Sequence, residues 1–410
     1  MECTVTKLTP PTAASVMPAA APGPLVTTPS ALLAAFATIP DPRRRQGTRF
    51  SLPALLALAV AALLANHLSV LAIAEWGAAQ SEEVLRRLGF PQGTAPHQST
   101  LQRLFKRLDP TPLSHALTRA FAAPHAPGPP IRGSHGVAVD GKAQRGRLAA
   151  DPSAGSIHAL SAFCHEQGLV LAQEPITSTA AKAEAELTVA PRLIHRVDWP
   201  GRVLTGDALF CQRQLCQQVV AAGGDYLFVV KDNQPTLAED LRLLFDPPLP
   251  TLPLRDRREA RTVDSGHGRS REIRHLVAST DLDGYTDWPA LAQAFRLERT
   301  WEAHGKQHRV VHYGITSLPP ETANAARLLA LRRGHWQIEN GLHYVKDVTL
   351  GEDRSLIHVG KGPAVLAMLR DAVVTLLHQA GYRRIAQRLR YYSDHPEATL
   401  TLLFPHLQNA

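Results

Sequence analysis

"RVLTGDALFCQRQLCQQVVAAGGDYLFVVK", residues 202–231, sets two short apolar runs on either side of a helical stretch. "RVLTGDAL" reads as a strand, "CQRQLCQQVVAAGG" as a helix and "DYLFVVK" as a second strand. That alternation predicts a mixed α/β sheet covered by helices. Upstream, "GVAVDGKA", "SIHALSAFC" and "LVLAQEPI" are further β runs, with Gly168 marking the turn between the last two, so an antiparallel meander precedes the unit. A helix over "KAEAELTVAPRLIHRV" joins the two. Asp140 ends the strand "GVAVD" and Asp207 ends "RVLTGD", at the carboxyl edge where open α/β sheets hold ligands. If those strands are neighbours, their carboxylates converge.

After Asp232 the pattern changes to polar-alternating pairs, "REARTVDSGHGRSREIRHLVAS" and "FRLERTWEAHGKQHRVVHYGITSL", each reading as two strands about a Gly-containing turn. The expected organisation is a disordered tail over 1–28, a helical N-terminal region over 29–123, and the first part of an α/β core over 134–232. A β-rich insertion follows over 233–320, then the second part of the core over 321–381 and a basic C-terminal helix and tail over 382–410. In the N-terminal region Ser81, followed by Glu82 and Glu83, opens a helix that Gly89 ends, and Ser99 opens the last one. On that last helix Leu101, Leu104, Phe105 and Leu108 form an apolar stripe. Arg103, Lys106 and Arg107 face outward, as a surface for DNA or simply for solvent.

The chain has 410 residues, a formal charge of +8 and only four cysteines, Cys3, Cys164, Cys211 and Cys216, with no C-x-x-C pair. The positive balance favours a polyanionic partner such as nucleic acid, and the cysteine spacing argues against a structural zinc. The run "LPALLALAVAALLA" is shorter than the roughly 20 residues of a membrane span and carries Pro53 near its start, so a buried helix is expected there. The N-terminal stretch lacks the pattern of a secretory signal. A cytoplasmic, nucleoid-associated protein without membrane attachment is expected.

In "RRGHWQIENGLHYVKDVTLGEDRS", residues 332–355, His335, Glu339, His343 and Lys346 fall at spacings of four, four and three, which on a regular helix places them on one face. Leu331, Ile338, Leu342 and Val345 supply an apolar face. A solvated charge row is the plain alternative. With two strand-end aspartates nearby, Glu339 becomes the best third oxygen ligand for a hard cation.

"VAVDGK", "LTGDALFCQRQL", "GGDYLFVVKDNQPTL", "GHGRSREIR" and "RRGHWQIENGLHYVKDVTLGEDRS" together resemble the DDE transposases of bacterial insertion sequences, in particular the H-repeat-associated (ISAs) group. The resemblance covers nearly all of the chain outside the tail. It implies an RNase-H-like core with a β insertion between the second and third acids. It makes Asp140, Asp207 and Glu339 a catalytic, metal-binding triad for two Mg²⁺ ions, with Mn²⁺ able to substitute. It also makes Lys346 a contact to transposon-end DNA. Related transposases often carry tyrosine and arginine where this chain has Arg332 and His335, and these two, with His343, are further candidate DNA contacts. Lys142, Arg145 and Arg147 could neutralise phosphate beside Asp140. The implied partners are terminal inverted repeats and target DNA, bound by a homodimer on paired ends. A nuclease with the same chemistry and a non-catalytic DNA-binding regulator are the competing readings.

Overall fold

The computed structural model describes residues 29–44, 48–121, 130–143, 158–176, 178–179, 182–183, 186–247, 254–266, 269–303 and 305–404. The expected tail over 1–28, Arg145, Arg147 and most of the proline-rich linker lie outside the described residues.

Strands β1 (His135–Ala143), β2 (His158–Cys164) and β3 (Leu169–Ile176) form the expected antiparallel meander. Gly168 sits in its turn at φ 72°, a conformation that costs glycine little. A two-stranded hairpin, β4 (Ser178–Thr179) and β5 (Lys182–Ala183), follows. Strands β6 (Arg202–Gly206) and β7 (Asp225–Val230) then add in parallel on the free side of β1. A three-stranded meander extended by two parallel strands is the RNase-H-like arrangement, and the fold class is mixed α/β as expected.

The β-rich stretch does not stand apart. β8 (Arg258–Gly266), β9 (Arg269–Ser279), β10 (Gln293–Ala303) and β11 (Lys306–Thr316) continue the same sheet, in the order β3-β2-β1-β6-β7-β11-β10-β9-β8. The seam is antiparallel, from Tyr313↔Val230 to Thr316↔Leu227, and Lys306–His312 run on past the carboxyl end of β7. A helix over Pro235–Phe245 lies between β7 and β8, inside the stretch read as β-rich. Pro235 starts it and Leu237, Ala238 and Leu241 are its buried side.

Six N-terminal helices are present: α1 (Pro29–Ala37), α2 (Leu52–Leu64), α3 (Val70–Ala78), α4 (Glu82–Arg87), α5 (Gln98–Arg107) and α6 (Pro110–Phe121). α2 is the buried apolar run, and no helix among the described residues is long and apolar enough to cross a membrane. Ser81 caps α4 as expected. The cap of α5 is His97 and not Ser99, because its ring nitrogen accepts from the Ser99 backbone. Arg103, Lys106 and Arg107 are exposed on α5.

Helices α7 (Glu186–Ile194) and α8 (Arg213–Ala221) cover one sheet face, where Val137 and Val139 of β1 meet Val189, Leu193, Leu215 and Val219. The Pro235–Phe245 helix is α9, and α10 (Ala325–Gly334), α11 (Gly362–Gln379), α12 (Ile385–Asp394) and α13 (Pro396–Leu403) follow β11. On the opposite face Ala138, Phe163 and Val170 share one continuous core with the N-terminal helices and α11 to α13.

A Cβ at Gly314, on the seam, would lie 2.2 Å from Phe295 Cζ and 2.3 Å from the Phe228 carbonyl oxygen. Gly314→Ala is expected to destabilise the protein by at least the roughly 1–3 kcal/mol typical of overpacking, read from urea unfolding. An unchanged unfolding curve would contradict the close packing at this seam.

Candidate active site

The parallel register of β1 and β6 ends at Ala138↔Thr205. Two residues further along each strand stand Asp140 and Asp207, which puts them on adjacent strand ends at one sheet edge, although the Asp207 carboxylate is not among the groups that cluster with Asp140. β1 itself continues past Asp140 to Ala143, pairing with β2. Side chains alternate along a strand, so Asp140 shares the face of Ala138, opposite Val137 and Val139. Asp207 is exposed, and its Oδ1 accepts a 2.9 Å hydrogen bond from the Leu209 backbone, capping the short turn Ala208–Phe210.

The third acid arrives on irregular helix. α10 ends at Gly334, His335 and Trp336 form a turn, and Ile338–His343 and Val345–Thr349 are π-helical. An i→i+5 bond adds a residue to each turn, so positions seven apart no longer close two turns. The single face expected for His335, Glu339, His343 and Lys346 is therefore broken up. Glu339 and His343 still meet, at the mouth of the site, while His335 turns under the sheet and Lys346 turns into the core.

Oxygen or nitrogen atoms of Asp140, Glu339 and His343 lie within 4.8 Å of one another. His343 Nδ1 is 3.5 Å from Asp140 Oδ2 and 3.7 Å from Glu339 Oε2. Burial, then the hydrogen bond and charge of Glu339, push the Asp140 carboxyl up to about 8. The neighbouring His343 ring, and after it Asp140, hold Glu339 down at about 2. The crowding of two carboxyl groups thus opposes ionisation of Asp140, and a cation at this place would relieve it. Two carboxylates suit a hard divalent ion, and Asp207 stands on the adjacent strand end.

Glu186, at the start of α7, is a fourth acid that the sequence did not single out. Burial and then the charge of Asp207 raise its carboxyl, and its Oε1 occupies the space a Cβ on Gly141 would take, so a side chain there would push the Glu186 carboxyl aside. At sequence level it looks like any acid in a helix first turn.

Several expected DNA contacts are placed elsewhere. Lys346 is 2% exposed, with Nζ 2.9 Å from Asp371 Oδ1, so its ammonium does not reach DNA. His335 is buried, with Nδ1 3.3 Å from the Thr205 hydroxyl, and burial pushes it down to about 4, which leaves it uncharged and hidden from phosphate. His343 is buried against the carboxyl groups. Lys142 is buried too, donating a 2.5 Å hydrogen bond to Asp347. Arg332 fits its expectation better. Its Nε and Nη1 are buried without hydrogen-bond partners among the described residues, in the field of Asp207. The residue as a whole is only partly buried, so unlike Lys346 its guanidinium can approach a phosphate at the carboxylate edge.

Comparison with known proteins gives the family. Residues 131–368 match the family model described as "Transposase DDE domain", and residues 33–120 match one described as DDE_Tnp_1-associated. The chain belongs to the DDE transposase family. Among its relatives, YncI of Escherichia coli O157:H7 is 28% identical over 354 residues, 84% of this chain and 87% of that one. The H repeat-associated candidate transposase YhhI of Escherichia coli strain K12 is 26% identical over 366 residues, 86% of this chain and 93% of that one. A cryo-EM structure of the piggyBac transposase synaptic complex with hairpin DNA aligns over 95% of this chain and 84% of that one, at a TM-score of 0.46 and 11% identity. Membership in the DDE family implies an enzyme that acts on DNA and uses divalent metal ions.

Beneath the edge, the Thr205 hydroxyl also meets His165 Nε2 at 3.0 Å, and burial pushes His165 down to about 3. The two rings face Arg332, Arg327 and Glu339. Both stay neutral in the fold, whereas the unfolded chain takes up protons below roughly pH 6.5. Their stabilisation is complete above that pH and is lost progressively as pH falls, by roughly 2 kcal/mol per ring at pH 5. Denaturant unfolding at pH 7.5 and pH 5 should therefore show a smaller pH loss in His335→Gln than in wild type; equal losses would contradict a neutral buried ring.

Proposed function

We propose that this chain is a transposase that cleaves the ends of its insertion sequence and joins the freed 3′-hydroxyl to target DNA. The observation that carries the reading is the meeting of Asp140 and Glu339, from the first strand and the π-helical segment, with Asp207 on the adjacent strand end. Asp140 with Glu339, and Asp140 with Asp207, would hold two Mg²⁺ ions, or Mn²⁺ in their place. Such a pair supplies an activated attacking oxygen and a stabilised leaving oxygen in line.

The residues themselves bind, orient and neutralise. Arg332, partly exposed and in the field of Asp207, would meet the phosphate being cut on the Asp207 side. His343 donates toward the two carboxyl groups and keeps Glu339 ionised and oriented. Arg103, Lys106 and Arg107 carry the flanking duplex by contact with its phosphates, which makes binding salt-dependent. Exchange of one phosphodiester for another needs no nucleotide energy source. Both ends must be joined together, so two copies act on paired ends, on chromosomal DNA in the nucleoid.

A labelled duplex carrying the terminal repeats of the encoding element tests this. Wild type is expected to free 3′ ends in Mg²⁺. Asp207→Ala should bind equally well and cut more slowly by more than the roughly 10- to 100-fold that loss of an outer-sphere partner costs. Binding without cutting by both proteins would instead identify a regulator.

A further inference from the structure

Lys346 and Asp347 leave the second π-helical segment in different directions. Lys346 Nζ lies 2.9 Å from Asp371 Oδ1 and 3.5 Å from Glu352 Oε2. Asp347 turns toward β1, where Lys142 Nζ donates to its Oδ1 at 2.5 Å. Lys142 follows Asp140 by two residues and so shares its face. Asp371 sits on α11 beside Arg370, which donates to the backbone oxygens of Leu350 and Leu68 and lies 4.0 Å from Glu352 Oε2. The stretch carrying Glu339 and His343 is thus tied to the strand of the first acid on one side and to α11 on the other.

Lys346, Asp371, Glu352 and Arg370 are each no more than 4% exposed and their charges cancel. Desolvating four charges costs several kcal/mol per ion before pairing, and an apolar cluster of equal volume is often as stable. What ion pairs add is a defined geometry, and a π-helical segment needs one imposed from outside.

We propose that Lys346–Asp371 and Lys142–Asp347 form a two-point ionic clamp that sets the separation of Glu339 from Asp140. Lys346 is then a positioning residue of the metal site. This rests on the reading that Asp140 and Glu339 hold the metal.

The test uses the full-length protein, with Mn²⁺ affinity read from the paramagnetic resonance of the free ion, and duplex affinity measured at several salt concentrations without metal. Lys346→Met should weaken Mn²⁺ binding by roughly 10- to 100-fold, as outer-sphere losses do. Its duplex affinity and salt slope should stay at wild-type values. Lys346→Met with Asp371→Leu keeps the buried cluster neutral but also lacks this clamp point, so it should recover folding stability and not the Mn²⁺ affinity; full recovery of that affinity would overturn the clamp. A contact to DNA would behave differently: the salt slope would fall by about 1 and the second substitution would not restore it. That result, or unchanged Mn²⁺ affinity in Lys346→Met, overturns the clamp. If Lys346→Met does not fold, Asp347→Asn must show the loss of Mn²⁺ affinity, and wild-type affinity there overturns it equally. Asp140→Asn separates the two ideas. Should it leave Mn²⁺ affinity unchanged, the metal-site reading fails; should it weaken binding while Lys346→Met does not, only the clamp fails.

Discussion

Asp140 and Glu339 stand close enough to share one proton, and two carboxylates will not remain so near each other unaided. At about 4 Å, and with the screening typical near a protein surface, two like charges repel by roughly 4 kcal/mol. The surrounding structure opposes that repulsion. β1 fixes Asp140 in a paired strand, the π-helical segment carries Glu339, and His343 lies 3.5 Å and 3.7 Å from the two. A cation there would neutralise both groups at once.

Everything else in the architecture serves that edge or braces it. The parallel pair β1 and β6 brings Asp207 alongside, while the Thr205 hydroxyl, His165 and His335 tie the end of α10 under the same strands. Gly136 and Gly334 leave room for the His165 ring, since a Cβ at either would lie 2.2 Å or 2.3 Å from its Nδ1. The N-terminal helices share one core with α11 and the meander. Backbone contacts of Arg370 with Leu68 and Leu350 then join those helices to the segment behind the third acid.

The strand, helix, strand alternation around Asp207 is legible in the sequence because each run has its own period, and an acid closing an apolar strand is costly unless it reaches water, a hydrogen-bond donor or a cation. The π-helical geometry is not legible. Leu331, Ile338, Leu342 and Val345 are buried under either helical period, so the apolar pattern does not report the wider turn. Only the polar residues register the difference, and it moves Lys346 from the mouth of the site to the core. The β stretch reads correctly as hairpins, but alternation within a hairpin does not say which existing strand it will pair with. Its union with β7 depends on Gly314 packing against Phe228 and Phe295, a long-range contact. Glu186 stays hidden for a similar reason, since only the fold brings it beside Gly141.

The central claim is that these acids form one divalent-metal site. Anomalous diffraction from crystals grown with Mn²⁺ tests it most directly. The account predicts Mn²⁺ held by Asp140 together with Glu339 or Asp207, with Lys346 still buried against Asp371. Mn²⁺ bound only away from Asp140, or Asp140 and Glu339 left without Mn²⁺ at saturation, would contradict it.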